Sequence, residues 1–90
     1  MIATAIKMNS DCHYSNSLLE IDQIYISGSK DGWYKKERLH DYVKNNPKSI
    51  TVGSVYGPYV THAVSSKGEK YVRSTPNNTT IDNLLSLPRY

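Results

Sequence analysis

The residues best placed to do chemistry are Tyr71 and Arg73, in the stretch Tyr71-Val72-Arg73-Ser74. In an extended chain residues i and i+2 share a face, so a phenol ring and a guanidinium stand side by side there. Such a ring can stack on a nucleobase for about 1–3 kcal/mol, and a guanidinium can fork onto a phosphate. Tyr59, Thr61 and Ala63 alternate in the same way one segment earlier, and Tyr56 closes the segment before that. Ser74 and Thr75, with Thr79 and Thr80 beyond them, add hydroxyl donors, and Lys67 adds a second cation. The set Tyr71, Arg73, Tyr59, Tyr56, Ser74, Thr75 and Lys67 is therefore the candidate ligand site, and its chemistry is recognition of a nucleotide-like anion. The same pattern also serves a sheet. Cross-strand tyrosines stabilise a sheet by about 0.2–1 kcal/mol, and Arg73 has a carboxylate partner available in Asp82.

Catalysis finds less support. His13, His40 and His62 fall in a loop, a helix and a strand, without the spacing of a metal site. His62 shares a strand face with Val60 and Val64 and reads as a structural histidine. Cys12 and His13 are neighbours, but adjacency in sequence does not make a nucleophile–base pair. Glu20 with Asp22, and Glu37 with Asp41, fall on single faces, as residues of a solvated surface also do. No Walker-type phosphate loop is present. The expectation is a binding protein, not an enzyme, with no metal and no cofactor.

Ninety residues make one domain, residues 1–90. A chain of this size buries only roughly 60–65% of its unfolded surface. A homo-oligomer, dimer or tetramer, is the expected supplement. The content is 38% hydrophobic and 21% charged, which is globular rather than disordered. Phenylalanine is absent, against eight tyrosines and one tryptophan, so Ile, Val and Leu must build the core and some tyrosines are left for surfaces. A net charge of +3 and a pI near 9.0 favour anionic partners. Cys12 is alone, which excludes an intrachain disulfide and a cysteine-based zinc site. The opening MIATAIKM does not read as a signal peptide. No apolar run reaches the ~18 residues of a membrane span. The expected setting is the cytoplasm, away from the membrane.

The elements that must position these residues follow from periodicity. Ile2, Thr4, Ile6 and Met8 alternate with Ala3, Ala5 and Lys7, which predicts a first strand. LLEIDQIYI predicts a second. Its apolar phase changes between Ile21 and Ile24, so an extra residue near Asp22-Gln23 is expected as a bulge. Trp33 to Asn46 reads as the one substantial helix, with Asp31 as its cap and Asn45-Asn46-Pro47 as its stop. Lys35, Lys36 and Arg38 sit at the end of that helix that disfavours cations, which can mark a site for an anion. Strands are expected over 50–56, 59–64 and 70–74, joined by Gly57-Pro58 and by Ser65-Ser66-Lys67-Gly68 as antiparallel hairpins. A last helical turn should follow, with a capping box from Thr79 to Asp82 and with Leu84, Leu85 and Leu87 sealing the core. The expected class is α+β: a small curved antiparallel sheet of about five strands, one main helix over it, and a short C-terminal helical turn.

Tyr71-Val72-Arg73-Ser74, an asparagine-rich turn, and Asp82-Asn83-Leu84-Leu85-Ser86-Leu87-Pro88 together resemble the C-terminal signature of a small bacterial and phage family. That family carries a domain of unknown function. Cys12-His13-Tyr14 stands where the family usually has a histidine-containing HxHI, and Asn77-Asn78 where it commonly has Asp-Gly. By analogy in kind, a small tyrosine-rich protein of this sort resembles phage anti-defence "sponge" proteins, which sequester cyclic oligonucleotide immune signals without cleaving them. For a phage-encoded chain the setting would be the host cytoplasm. The alternatives are a protein-interaction module that inhibits a host factor, and weak single-stranded nucleic-acid binding through the same tyrosines.

Overall fold

The computed structural model describes residues 1–75 and 82–90. Its strands are β1 (Ile2–Met8), β2 (Ile21–Ser27), β3 (Trp33–Lys35), β4 (Thr51–Val52), β5 (Val60–Val64) and β6 (Lys70–Ser74). One helix, α1 (Lys36–Asn45), follows β3, and short 3₁₀ turns cover Leu18–Glu20 and Asn83–Ser86. The fold is α+β, as the sequence predicts, but the strands form two sheets rather than one. The larger has the order β3-β2-β1-β4 and the smaller is the β5–β6 hairpin.

Nor is the larger sheet wholly antiparallel: β4 lies parallel to β1, pairing Thr51 with Ile2 and Val52 with Ala3. The reason is the route of the chain, which returns through α1 and so re-enters the sheet in the direction of β1. The strand expected over 50–56 is also cut to two residues. Gly53 takes a positive φ of 81°. Gly57 then comes so close that an added Cβ would sit 1.9 Å from the Val52 carbonyl oxygen. The Val52 amide donates to Pro58 O at 2.8 Å and the Val60 amide to Ile50 O at 2.8 Å, so the two sheets join through this turn.

Two bulges decide what faces the core. The β1–β2 register pairs Ala3 with Ile26 and Ala5 with Tyr25, leaving Thr4 extra. It pairs Lys7 with Gln23 and Met8 with Ile21, leaving Asp22 extra. The second bulge is the one the apolar phase predicts, and it puts Ile21 on the same side as Ile24 and Ile26. All three are buried. The first is not predicted by the apolar pattern. It places Ala3, Ile6 and Met8 in the core and leaves Ile2 partly exposed.

The helix begins three residues later than expected. Gly32, at φ 80°, turns the chain back, and Trp33–Lys35 pairs with Gln23–Tyr25 as an edge strand. Aromatic residues suit that pleated surface better than a helix start. The cap is therefore Lys35, without a side-chain bond, and not Asp31. The buried helix residues Lys36, Leu39, His40 and Val43 recur at i, i+3, i+4 and i+7. They pack against the hairpin and against the β2–β3 side of the larger sheet. At the far end the Asn46 side chain and amide both donate to Tyr42 O.

The closing segment completes the core. Leu84 and Leu85 are buried and Leu87 packs against them. Asp82 accepts from the Leu84 amide at 2.9 Å and from the Ser74 amide at 3.1 Å. The Ile6 amide donates to Pro88 O, and the Tyr90 amide to Ile6 O, which adds this segment beside β1. The Asn77-Asn78 turn, the hydroxyls of Thr79 and Thr80, and the Thr79 half of the capping box lie outside the described residues. No helix of the described residues is long and apolar enough to cross a membrane.

Candidate functional site

The β5–β6 register sets where the residues expected to bind a ligand project. Thr61 faces Arg73 and Ala63 faces Tyr71, on the side away from α1. Arg73 is exposed and Tyr71 half-buried. Tyr59 continues this face: it is 39% exposed, and the Thr75 amide donates to its carbonyl at 2.8 Å. The remaining residues scatter. Ser74 is buried on the helix-facing side. Tyr56, 95% exposed, stands on the 53–58 turn. Lys67 is exposed in the hairpin turn, at the opposite end of the strands from Thr75. A five-residue strand separates the two ends by roughly 13–17 Å. Asp82 spends its carboxylate on backbone amides, and no ion pair to Arg73 occurs among the described residues.

Several of the histidine, cysteine and carboxylate groups make contacts within the fold. The Cys12 thiol donates to Glu20 Oε2 at 3.3 Å, and that hydrogen bond pushes its pKa up, away from thiolate character. The His13 ring packs edge-on against Tyr14, 4.8 Å away. The buried histidine is His40 rather than His62. His40 Nδ1 lies 3.1 Å from Tyr71 O, and its ring meets the exposed His62 edge-on at 5.4 Å. Asp22 pairs with Lys35 at 2.7 Å and Asp41 with Lys70 at 3.0 Å. Both carboxyls are held below their ordinary pKa, first by the hydrogen bond from the lysine. Among the described residues no group of three or more His, Cys, Asp and Glu is arranged to hold a metal ion.

The cations at the start of α1 are likewise assigned, with one exception. Lys36 is buried, donating to Leu19 O at 2.6 Å and to Glu69 Oε2 at 2.9 Å. Arg38 instead lies over the Tyr34 ring, 5.3 Å from its centroid. Among the described residues it makes no ion pair.

Arg38 borders a cleft of about 220 Å³ between α1 and the end of β2. Ile26, Leu39 and Ile50, all buried, form its floor. Tyr34, Tyr42 and Arg38 form its walls, with Met1 and Ser29 at the rim. Arg38 and Tyr42 are i and i+4 on the helix, so they share a face. Tyr34 points into the molecule because β3 is a strand, and its hydroxyl accepts from the Asp31 amide at 3.2 Å. A helix over 33–35 would also set Tyr34 and Arg38 at i and i+4; what the strand adds is that Tyr34 turns onto the core side of the sheet, at the cleft lined by Ile26 and Ile50. The available signal was the misplaced cation at the helix start.

The described residues thus form an α+β domain with an aromatic cleft at whose mouth the Arg38 guanidinium stands, without an ion pair among the described residues. The chain belongs to the family described as "Protein of unknown function (DUF3892)", whose pattern matches residues 3–88. Neither a curated protein nor a solved structure matches it.

Proposed function

We propose that the protein is a non-enzymatic binder of a small, planar, negatively charged ligand of nucleotide type, held in the cleft beside α1. The observation that carries this reading is Arg38. It lies against one tyrosine and shares its helix face with another, at the mouth of an apolar cleft, with no carboxylate paired to it among the described residues. A planar ring suits the Ile26–Leu39–Ile50 floor and the tyrosine walls, and a phosphate or carboxylate suits the guanidinium. The volume sets the scale: about 220 Å³ is below the roughly 300–1,000 Å³ of sites for drug-sized ligands. One base fits; a cyclic dinucleotide would need two clefts facing each other in a homo-oligomer. Cytoplasmic sequestration of such a signal, the role of phage sponge proteins, is the finer form of this reading.

A thermal-shift screen against nucleoside monophosphates, cyclic di- and trinucleotides and ADP-ribose tests it. A ligand at a hundred times its Kd adds about 2.7 kcal/mol, which in a domain of this size is roughly 10–20 °C. The shift should vanish in Arg38→Ala and shrink in Tyr42→Ala. No shift with any compound overturns the reading. A shift lost in Arg73→Ala but kept in Arg38→Ala moves the ligand to the outward hairpin face, where Arg73 and Tyr71 stand.

A further inference from the structure

The face of the larger sheet turned away from α1 carries an aromatic cluster that neither the core nor the cleft uses. Across the strands, Ala5, Tyr25 and Trp33 form one row, and Lys7, Gln23 and Lys35 form the next. Trp33 is the centre. Tyr25 meets it edge-on at 5.4 Å and Tyr90 at 6.2 Å, and Lys7 Nζ lies 4.9 Å from its ring centroid. Tyr25 is 39% exposed and Tyr90 70%. Gly32 permits the arrangement, since a Cβ there would fall 2.7 Å from the Tyr25 ring.

We propose that this face binds single-stranded nucleic acid, with unpaired bases stacking on Trp33, Tyr25 and Tyr90 and the backbone meeting Lys7 and Lys35. Neighbouring strands are ~4.8 Å apart, so the rings extend over roughly 10 Å, room for about two or three bases. Aromatic rings on an open sheet flanked by cations are the physical basis of sequence-tolerant single-strand binding. Charge selects the occupant. The rows hold two lysines against one nearby carboxylate, Asp22, which is bound to Lys35. A second copy would bring two further lysines to a face that already carries a positive excess, whereas a polyanion is attracted to it. Lys7 is already stacked on the indole, so a base arriving on Trp33 displaces its ammonium towards the adjoining phosphate. A duplex offers no exposed base faces to this platform.

Trp33 is the protein's one tryptophan, so its emission reports the site directly. Titration with oligo-dT and oligo-rU twelve nucleotides long should quench it, and labelled oligomers should gain anisotropy. A duplex of equal length should bind far more weakly. Two lysine–phosphate contacts predict a log–log salt slope of about −1.4. Tyr90→Ala and Tyr25→Leu should each weaken binding roughly 5- to 150-fold, and Lys7→Ala should flatten the slope by about 0.7. Tyr90 is exposed enough that its truncation leaves the fold intact, which circular dichroism checks. The proposal is overturned by absent quenching, by Tyr90→Ala and Lys7→Ala binding like the parent protein, or by a slope steeper than about −3, the mark of diffuse charge attraction. Concentration-dependent dimerisation that alone changes Trp33 emission overturns it in favour of a second copy.

Discussion

Replacing Lys36 by methionine tests how the three parts of the molecule are tied together. The Lys36 ammonium is the one buried lysine charge among the described residues, with its side chain 6% exposed. It joins the first residue of α1 to the Leu18–Glu20 turn through Leu19 O at 2.6 Å, and to the β5–β6 turn through Glu69 at 2.9 Å. The two bonds should not weigh equally. A hydrogen bond from a charged group contributes about 1.5–3 kcal/mol when its partner cannot easily rehydrate. The side chain of Glu69 is 48% exposed, so losing that half of the arrangement should cost under about 1 kcal/mol. Methionine retains most of the apolar stem. The expected loss for Lys36→Met is therefore about 2 kcal/mol, dominated by the Leu19 carbonyl, or roughly 8–16 °C in Tm. Glu69→Gln alone should cost less than about 1 kcal/mol, and the double-mutant coupling should be similarly small. Urea unfolding followed by Trp33 fluorescence, with unchanged m values, measures all three variants. A Lys36→Met protein within about 0.5 kcal/mol of the parent would refute the reasoning. It would mean that desolvation of the ammonium cancels its hydrogen bonds, as happens for some buried ion pairs.

Asp82→Ala removes the acceptor for the Leu84 and Ser74 amides and should cost about 1–2 kcal/mol in denaturant unfolding, with Asp82→Asn costing less. Gly57→Ala forces a Cβ against the Val52 carbonyl at 1.9 Å, so the turn joining the sheets must move. A loss of about 2 kcal/mol or more is expected in the same assay. For Asp22 the folded pKa lies below its ordinary value, so its pairing with Lys35 stabilises the fold above about pH 4 and is lost as pH falls through the folded value. Asp22→Asn should therefore lower stability above about pH 4, pH 9 included, and converge with the parent protein as pH falls through the folded value, with an amplitude under about 1 kcal/mol for so exposed a pair.

The parts of the fold legible in the sequence were those written in local periodicity. The β1 and β2 strands, the body of α1, the β5–β6 hairpin and the leucine-sealed tail all follow from alternation, helical spacing and turn residues. The Asp22 bulge was legible because Ile21 and Ile24 are out of phase for a single unbroken strand. The Thr4 bulge was not, because Ala3 and Ala5 are equally small and carry no phase signal. Strand pairing was lost where it depended on distant partners. Nothing local says that Thr51-Val52 lies parallel to β1, or that Trp33–Lys35 belongs to a sheet edge when helical residues follow it. On the hairpin, Tyr71 and Arg73 project together because residues i and i+2 of a strand share a face, and a short turn fixes which β5 residues face them. The cleft was not legible, because its floor brings Ile26 and Ile50 from distant parts of the chain against Leu39 of α1, which no local pattern announces.

The two bulges have a consequence beyond burying isoleucines. Side chains on a strand alternate, so a single extra residue exchanges the faces of everything after it. Asp22 turns Ile24 and Ile26 inward and thereby Tyr25 outward, and Thr4 turns Ile6 inward and Lys7 outward. The core and the Lys7–Tyr25–Trp33 surface are thus specified by the same two insertions. An apolar core could have been obtained more simply from uninterrupted alternation. What the interrupted pattern adds is a second, aromatic and basic face in fixed register with the first. Cross-strand stabilisation accounts for Tyr25 against Trp33. It does not account for Lys7 over the indole or for a largely exposed Tyr90 brought to the same ring.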